Sequence, residues 1–187
     1  MKKIRVAING FGRIGRAFFR QSFERKDIEV VAVNDLGSHE NLAYLLKYDT
    51  VYKRASFDVQ TKDGNLVVDG KEVKFFSEKE PEKLPWKDLA IDVVIESTGV
   101  FTEYEKAKVH LDAGARRVVI SAPVKEDSEL GATVLMGLNE DRIATCAITS
   151  NASCTTNSAS PVIVILDEAI GIEKAILSTT HAYTASQ

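Results

Sequence analysis

IRVAINGFGRIGRAFFRQSF, residues 4–23, changes its hydrophobic period halfway along. Ile4 to Asn9 is a short β-branched run ended by glycines, the pattern of a buried strand. From Ile14 the apolar residues Ala17 and Phe18 return at helical spacing, so a helix follows. Between them Gly10, Gly12 and Gly15 form a G-x-G-x-x-G spacing, which by itself is only a glycine turn. After a strand and before a helix it has a chemical use. Residues without side chains let the backbone approach a pyrophosphate, and the helix start turns N–H groups and positive dipole toward it. Arg13 adds a full charge. The next strand, Glu29 to Asn34, ends at Asp35, about 20 residues beyond Gly15. A carboxylate there binds both hydroxyls of an adenosine ribose and repels a 2′-phosphate, so the expected cofactor is NAD rather than NADP.

Outward from this unit the alternation continues. HENLAYLLKY predicts a second helix with Leu42, Leu45 and Leu46 on one face. FDVQTKDGNLVVDGKEVKFFSE holds two Asp-Gly pairs between short alternating runs, a hairpin or meander signal. EKEPEKLPWKD is charged and proline-punctuated and reads as a solvated surface loop. Then come a strand (DVVIES), a helix (EYEKAKVHLDAG, ending near Gly114) and two strands (RVVISAP and ATVLMG). The run ATCAITS leads to a helix closing at Gly171, with Pro161 expected near its first turns. KAILSTTHAYT reads as a final strand. Repeated βαβ units imply an α/β chain: a doubly wound, mostly parallel Rossmann-type sheet, then the beginning of an α+β catalytic domain. The boundary is expected around Asn151 to Cys154, giving residues 1–152 and 153–187.

Composition closes off other classes. The 187 residues carry a formal net charge of −3, which offers no electrostatic case for nucleic acid. No apolar run reaches membrane-span length, and the N-terminus lacks a signal-peptide core. Two cysteines, Cys146 and Cys154, make no disulfide framework, so a reducing cytoplasm is expected. Cys146 has apolar neighbours and reads as inert.

Cys154 differs, because it sits in SNASCTTNS, residues 150–158, among small polar residues. A thiolate is a nucleophile, and a helix start or a nearby base favours the anion. His39, near a helix start, and His110, in an amphipathic helix, read as capping or surface groups. His181, at the end of the last expected strand, is the candidate base, since α/β sites gather at strand ends. On residues alone this pairing competes with a structural histidine.

INGFGRIGR, VVIESTGVFT, VVISAP, SNASCTTN and HAYT, in this order and across the whole chain, resemble phosphorylating glyceraldehyde-3-phosphate dehydrogenases. The resemblance implies that Cys154 is the nucleophile and His181 its base. It implies NAD contacts at Arg13, Ile14, Asp35 and Ser121, with Ser97, Thr98 and Gly99 beside the cofactor. Lys79 stands where the family usually has arginine, which keeps the charge without the fork geometry. Phosphate-binding hydroxyls map to Ser153, Thr155 and Thr184, and the polar company of the thiol is expected to dock two phosphates. Ser158 replaces a second cysteine found in some members. The implied reaction converts glyceraldehyde 3-phosphate, inorganic phosphate and NAD to 1,3-bisphosphoglycerate in a homotetramer, with no metal. An erythrose-4-phosphate dehydrogenase and a stand-alone NAD-binding module are the alternatives. The chain ends soon after His181, so most of the family's catalytic sheet is expected on a second polypeptide or a longer chain.

Overall fold

The computed structural model describes residues 2–125 and 128–182. Strand β1 (Ile4–Asn9) sends Val6 and Ile8 to one face and Ala7 to the other, and all three are buried. Burial on both faces suits a parallel strand between two helix layers. Helix α1 (Arg13–Phe23) packs Phe19 into the first of these faces. Strand β2 (Ile28–Asn34) repeats the alternation with Val33 and Ala32. Helix α2 (His39–Lys47) starts at Ser38, whose Oγ accepts the Asn41 N–H. A short hairpin follows, β3 (Tyr48–Asp49) with β4 (Lys53–Arg54).

The meander is built as its turns require. It comprises β5 (Val59–Lys62), β6 (Asn65–Val68) and β7 (Lys71–Phe76). Asp63 and Gly64 have φ of 50° and 78°, Asp69 and Gly70 of 47° and 76°. Positive φ at both central residues is the type I′ hairpin geometry. After β8 (Val93–Glu96) come α3 (Tyr104–Ala107), α4 (Val109–Asp112), β9 (Arg117–Ile120), β10 (Gly131–Thr133), β11 (Ile148–Ser150) and α5 (Cys154–Ile170). Among the described residues the main sheet has nine strands, ordered β10-β11-β9-β8-β1-β2-β7-β6-β5. All but the β5–β6–β7 pairings are parallel. The chain leaves β1 on one side for β2 and later fills its other side with β8, so the switch point lies at the carboxyl end of β1.

Five expectations are corrected. The charged stretch after β7 is no solvated loop: Trp86 is fully buried and Leu84 nearly so, packed with Ala7, Ile91 and Val94 on the second face of the sheet. Its charges stay outside while one large ring anchors it. The helix expected over Glu103–Gly114 is two short pieces, with the Leu111 N–H bonded to Lys108 O at 2.8 Å. This local i→i+3 turn, between pieces that keep i→i+4 bonds, turns residues three apart toward one side. Tyr104, Ala107 and His110 therefore share one buried face, and His110 is neither a surface nor a capping group. Residues 174–182 form no strand, because no ladder partner reaches them among the described residues; the rest of that expected strand lies outside the described residues. Pro161 sits inside α5, at the end of its second turn.

Candidate active site

The glycines at the start of α1 do three different jobs. Gly10 has φ +91°, and a Cβ there would fall 2.5 Å from Thr98 N. Only glycine lets this turn press against the end of β8. A Cβ on Gly15 would meet Gly10 O at 2.2 Å, so Gly15 seats the helix against the loop. A Cβ on Gly12 would meet nothing within 4 Å. Gly12 faces open space, and no side chain caps the helix that starts behind it. That combination leaves a cradle for an anionic group at the first-turn N–H groups.

The cradle opens into a crevice of about 500 Å³ at the switch point, lined among others by Gly12, Asp35, Lys79, Pro81, Thr98 and Phe101. Asp35 is tied to the loop: Oδ2 accepts the Phe11 N–H at 2.7 Å and Oδ1 the Gly37 N–H at 2.8 Å. Each oxygen keeps a lone pair for a further donor such as a ribose hydroxyl. These features fit NAD. Ser97 Oγ donates to Gly10 O at 2.7 Å, joining β8 to the glycine turn. The Thr98 hydroxyl donates to Glu96 and accepts the Val100 N–H at 3.0 Å. Both hydroxyls thus shape the wall. Arg13 and Ile14 stand in the first turn of α1, Gly99 in the loop after β8, and Ser121 just past β9.

The candidate nucleophile comes from the other end of the chain. β11 turns into α5 through Ala152, which adopts φ +57°, a conformation that non-glycine residues hold only when surroundings enforce it. Here side chains enforce it. Ser150 Oγ accepts the Ala152 N–H at 3.0 Å, Ser153 Oγ accepts the Thr156 N–H, and Asn157 Nδ2 donates to Asn151 O at 2.6 Å. Cys154 is thereby the first residue of a 17-residue helix. His181 Nε2 lies 3.0 Å from its Sγ. His181 Nδ1 meets Ala182 O, and a carbonyl only accepts, so Nδ1 carries a proton and Nε2 turns its lone pair to the thiol.

The titration of the two groups moves in opposite directions. The bond to His181 holds the Cys154 thiol below its ordinary range, helped by the His181 charge and by the Thr155 N–H and hydroxyl. The bond to Cys154 raises the His181 imidazole, helped by Ala182 O. Both directions favour transfer of the proton from sulfur to imidazole, toward a thiolate–imidazolium pair. Both residues are exposed, and no described residue covers them.

The polar company of the thiol has a structural use beside the one expected. Ser150, Ser153 and Asn157 build the strand-to-helix turn, and Thr155 supports the sulfur. Thr184 lies outside the described residues. His39 bonds Gly64 O and Ser77 Oγ and stacks on Phe75. The Cys146 thiol donates to Ile148 O at 3.2 Å. Sequence reasoning missed Asn9, Asn34, Glu96 and His110, which are buried beneath the crevice. The three-residue spacing of Tyr104, Ala107 and His110 was the available signal for the last of them.

Comparison with known proteins matches both ends of this arrangement. Residues 4–104 fit the family model described as glyceraldehyde 3-phosphate dehydrogenase, NAD binding domain. Residues 153–187 fit the one described as glyceraldehyde 3-phosphate dehydrogenase, C-terminal domain. Glyceraldehyde-3-phosphate dehydrogenase of Thermotoga maritima is 54% identical over 186 residues, 98% of this chain and 55% of that protein. The enzymes of Streptomyces coelicolor and Geobacillus stearothermophilus are 49% and 48% identical, with the same coverage. The chain thus spans about half the length of the curated relatives it matches. Identity near one half along almost all of its residues, added to two domain matches in order, fixes its kinship: the chain belongs to the glyceraldehyde 3-phosphate dehydrogenase family.

Proposed function

We propose that this chain carries the NAD crevice and the nucleophile of a phosphorylating glyceraldehyde-3-phosphate dehydrogenase, divided near residue 152 into cofactor and catalytic parts. The observation that carries the proposal is the Cys154–His181 pair, 3.0 Å apart at the start of α5. The Cys154 thiolate adds to the aldehyde carbon, and the His181 imidazolium gives its proton to the carbonyl oxygen. The neutral imidazole then takes that proton back as the carbon is oxidised to a thioester. NAD, when bound, supplies the hydride acceptor. Gly12 and the first turn of α1 hold its pyrophosphate, and Asp35 its adenosine ribose; Gly10, Arg13, Ile14, Lys79, Ser97, Thr98, Gly99 and Ser121 complete the cofactor surroundings. Inorganic phosphate attacks the thioester and releases 1,3-bisphosphoglycerate. Thr155 and the N–H groups at the start of α5 favour its approach, with Ser153 and Thr184 as further hydroxyls.

The assembly we infer is a homotetramer in the cytoplasm. Exposed Tyr44, Tyr48, Val51 and Tyr52 offer apolar surface of the kind subunit contacts cover. Two free cysteines suit a reducing compartment. No helix among the described residues is long and apolar enough to cross a membrane.

The test is a rapid-mixing absorbance trace of NADH, with glyceraldehyde 3-phosphate and NAD, with and without phosphate. Phosphate-dependent turnover, lost in Cys154→Ser while NAD affinity is retained, is the expected result. Turnover that survives Cys154→Ser removes the thiol from the mechanism. No NADH from wild-type chain with NAD bound removes the oxidation from what this chain does alone.

A further inference from the structure

Beneath the crevice runs a line of buried polar side chains that the chemistry at Cys154 does not touch. Glu96, 2% exposed at the end of β8, has both carboxylate oxygens occupied. Oε2 accepts from Asn9 Nδ2 at 2.6 Å and from His110 Nε2 at 3.0 Å. Oε1 accepts from the Thr98 N–H at 2.8 Å and from the Thr98 hydroxyl. The His110 tautomer follows from its other side. Trp86 Nε1 meets His110 Nδ1 at 3.2 Å, and an indole N–H only donates, so the imidazole proton sits on Nε2 and points at Glu96.

The carboxylate also sets the orientation of two amides. Asn9 must turn its NH₂ toward an acceptor-only group, which leaves Asn9 Oδ1 to accept from Asn34 Nδ2 at 2.7 Å. Asn34 then clasps the backbone of Glu78: Nδ2 donates to Glu78 O at 2.9 Å and Oδ1 accepts the Glu78 N–H at 2.8 Å. Thr98 belongs to one wall of the crevice, and Glu78 and Lys79 belong to the other. One buried charge therefore orients an unbroken line of hydrogen bonds across the ends of β8, β1 and β2, joining the two walls.

We propose that Glu96 is the positioning residue of the crevice: its buried carboxylate fixes the spacing of the two walls between which the nucleotide binds. The proposal rests on the nucleotide-binding reading above. Charge, not shape, is what matters here. Glu96→Gln keeps the outline but turns an NH₂ group toward donors, and the polarity of the whole line is then frustrated. The geometry also contains a rescue. Asn9 Nδ2 stands 3.4 Å from His110 Nε2. In the double variant Asn9→Asp/Glu96→Gln, a carboxylate oxygen at position 9 accepts from both His110 and the new amide. That amide keeps its oxygen for Thr98, and Asn34 still finds its acceptor.

The experiment follows backbone amide exchange at Thr98 and Glu78 by NMR, and ADP-ribose binding by calorimetry, in wild type, Glu96→Gln and the double variant. Expected in Glu96→Gln is faster exchange at both amides, including Glu78, which Glu96 never touches. ADP-ribose binding weakens about tenfold or more. The double variant returns both readouts to near wild type, which a role in folding alone would not produce. Unchanged exchange at Glu78, or a double variant no better than the single, overturns the proposal. If Glu96→Gln does not fold, a double variant that folds and binds supports it, and one that does not fold overturns it. Failure of wild type to bind ADP-ribose sinks the nucleotide reading, while the exchange of Glu78 still decides whether Glu96 ties the walls.

Discussion

Exchanging alanine for Gly10 and for Gly12 separates stability from cofactor binding within three residues. At Gly10 the chain holds φ +91°, and an alanine Cβ would sit 2.5 Å from Thr98 N and 2.6 Å from Ser97 C, both backbone atoms. The positive φ costs a residue with a Cβ about 1–2 kcal/mol. Forcing the two turns apart adds about 1–3 kcal/mol, as overpacking does elsewhere. The sum, about 2–5 kcal/mol, lowers the melting temperature of a chain this size by about 5–20 °C. Gly12 has an ordinary φ of −71° and no neighbour within reach of a new Cβ. Alanine at this helix start loses about 0.5–1 kcal/mol of capping. It regains about 0.4–1 kcal/mol from a stiffer unfolded chain, so stability barely moves. The methyl group instead enters the space proposed for pyrophosphate, and a clash of about 1–3 kcal/mol should weaken NAD by about 5- to 150-fold. Thermal melts by circular dichroism and calorimetric titration with NAD measure both. Wild-type NAD affinity in Gly12→Ala refutes the pyrophosphate cradle, and a wild-type melt of Gly10→Ala refutes the steric account of the turn.

Three further changes address other parts of the site. The Cys154 thiol is held low by His181, so iodoacetamide alkylation should stay fast as pH falls below the ordinary thiol range near about 8.5. In His181→Asn the rate should fall with pH from that range downward, and an unchanged profile would mean the pair does not act together. Asp35→Asn removes the charge proposed to repel a 2′-phosphate and keeps one acceptor for the Phe11 or Gly37 N–H. NADP should gain on NAD in direct titration, and an unmoved ratio would count against the ribose assignment. Trp86→Phe leaves His110 Nδ1 without its donor in a buried site. Urea denaturation should register a loss of about 1–3 kcal/mol, and a loss within about 0.5 kcal/mol, the range of neutral surface changes, would show the bond adds nothing.

What was legible in the sequence was local or periodic. Gly10, Gly12 and Gly15 could be read because strand, turn and helix lie within 20 residues of chain from Ile4 to Phe23. The two Asp-Gly pairs announced the meander because a type I′ turn demands those residue types. Trp86 was hidden for the opposite reason. Its neighbours in sequence are charged, while its neighbours in space, Ala7 and Val94, come from distant strands. His110 was misread because an even 3.6-residue helix puts residues 104, 107 and 110 on a drifting stripe, whereas the break at Lys108, with its local i→i+3 turn, brings them onto one buried face. The segment after α5 has strand-forming residues but no ladder to join among the described residues, and β propensity supplies no partner.

Cys154 shows why a reactive residue was easier to name than its surroundings. The thiol stood out because polar neighbours are odd company for a buried cysteine, and that oddity suggested ligands. The structure gives the neighbours a prior duty. A strand must end, pass through a left-handed alanine, and begin a helix on the next residues, with Ser150 and Ala152 buried. Each freed backbone group needs a short side chain within reach, and Ser150, Ser153 and Asn157 supply them. The same turn sets the sulfur at the helix start, where dipole, Thr155 and His181 all favour the anion. A polar cluster that constructs a turn and one that binds a substrate look alike in one dimension. Under the proposed function the first is the means of the second: the side chains that shape the turn need not touch a substrate, because they decide where the sulfur stands.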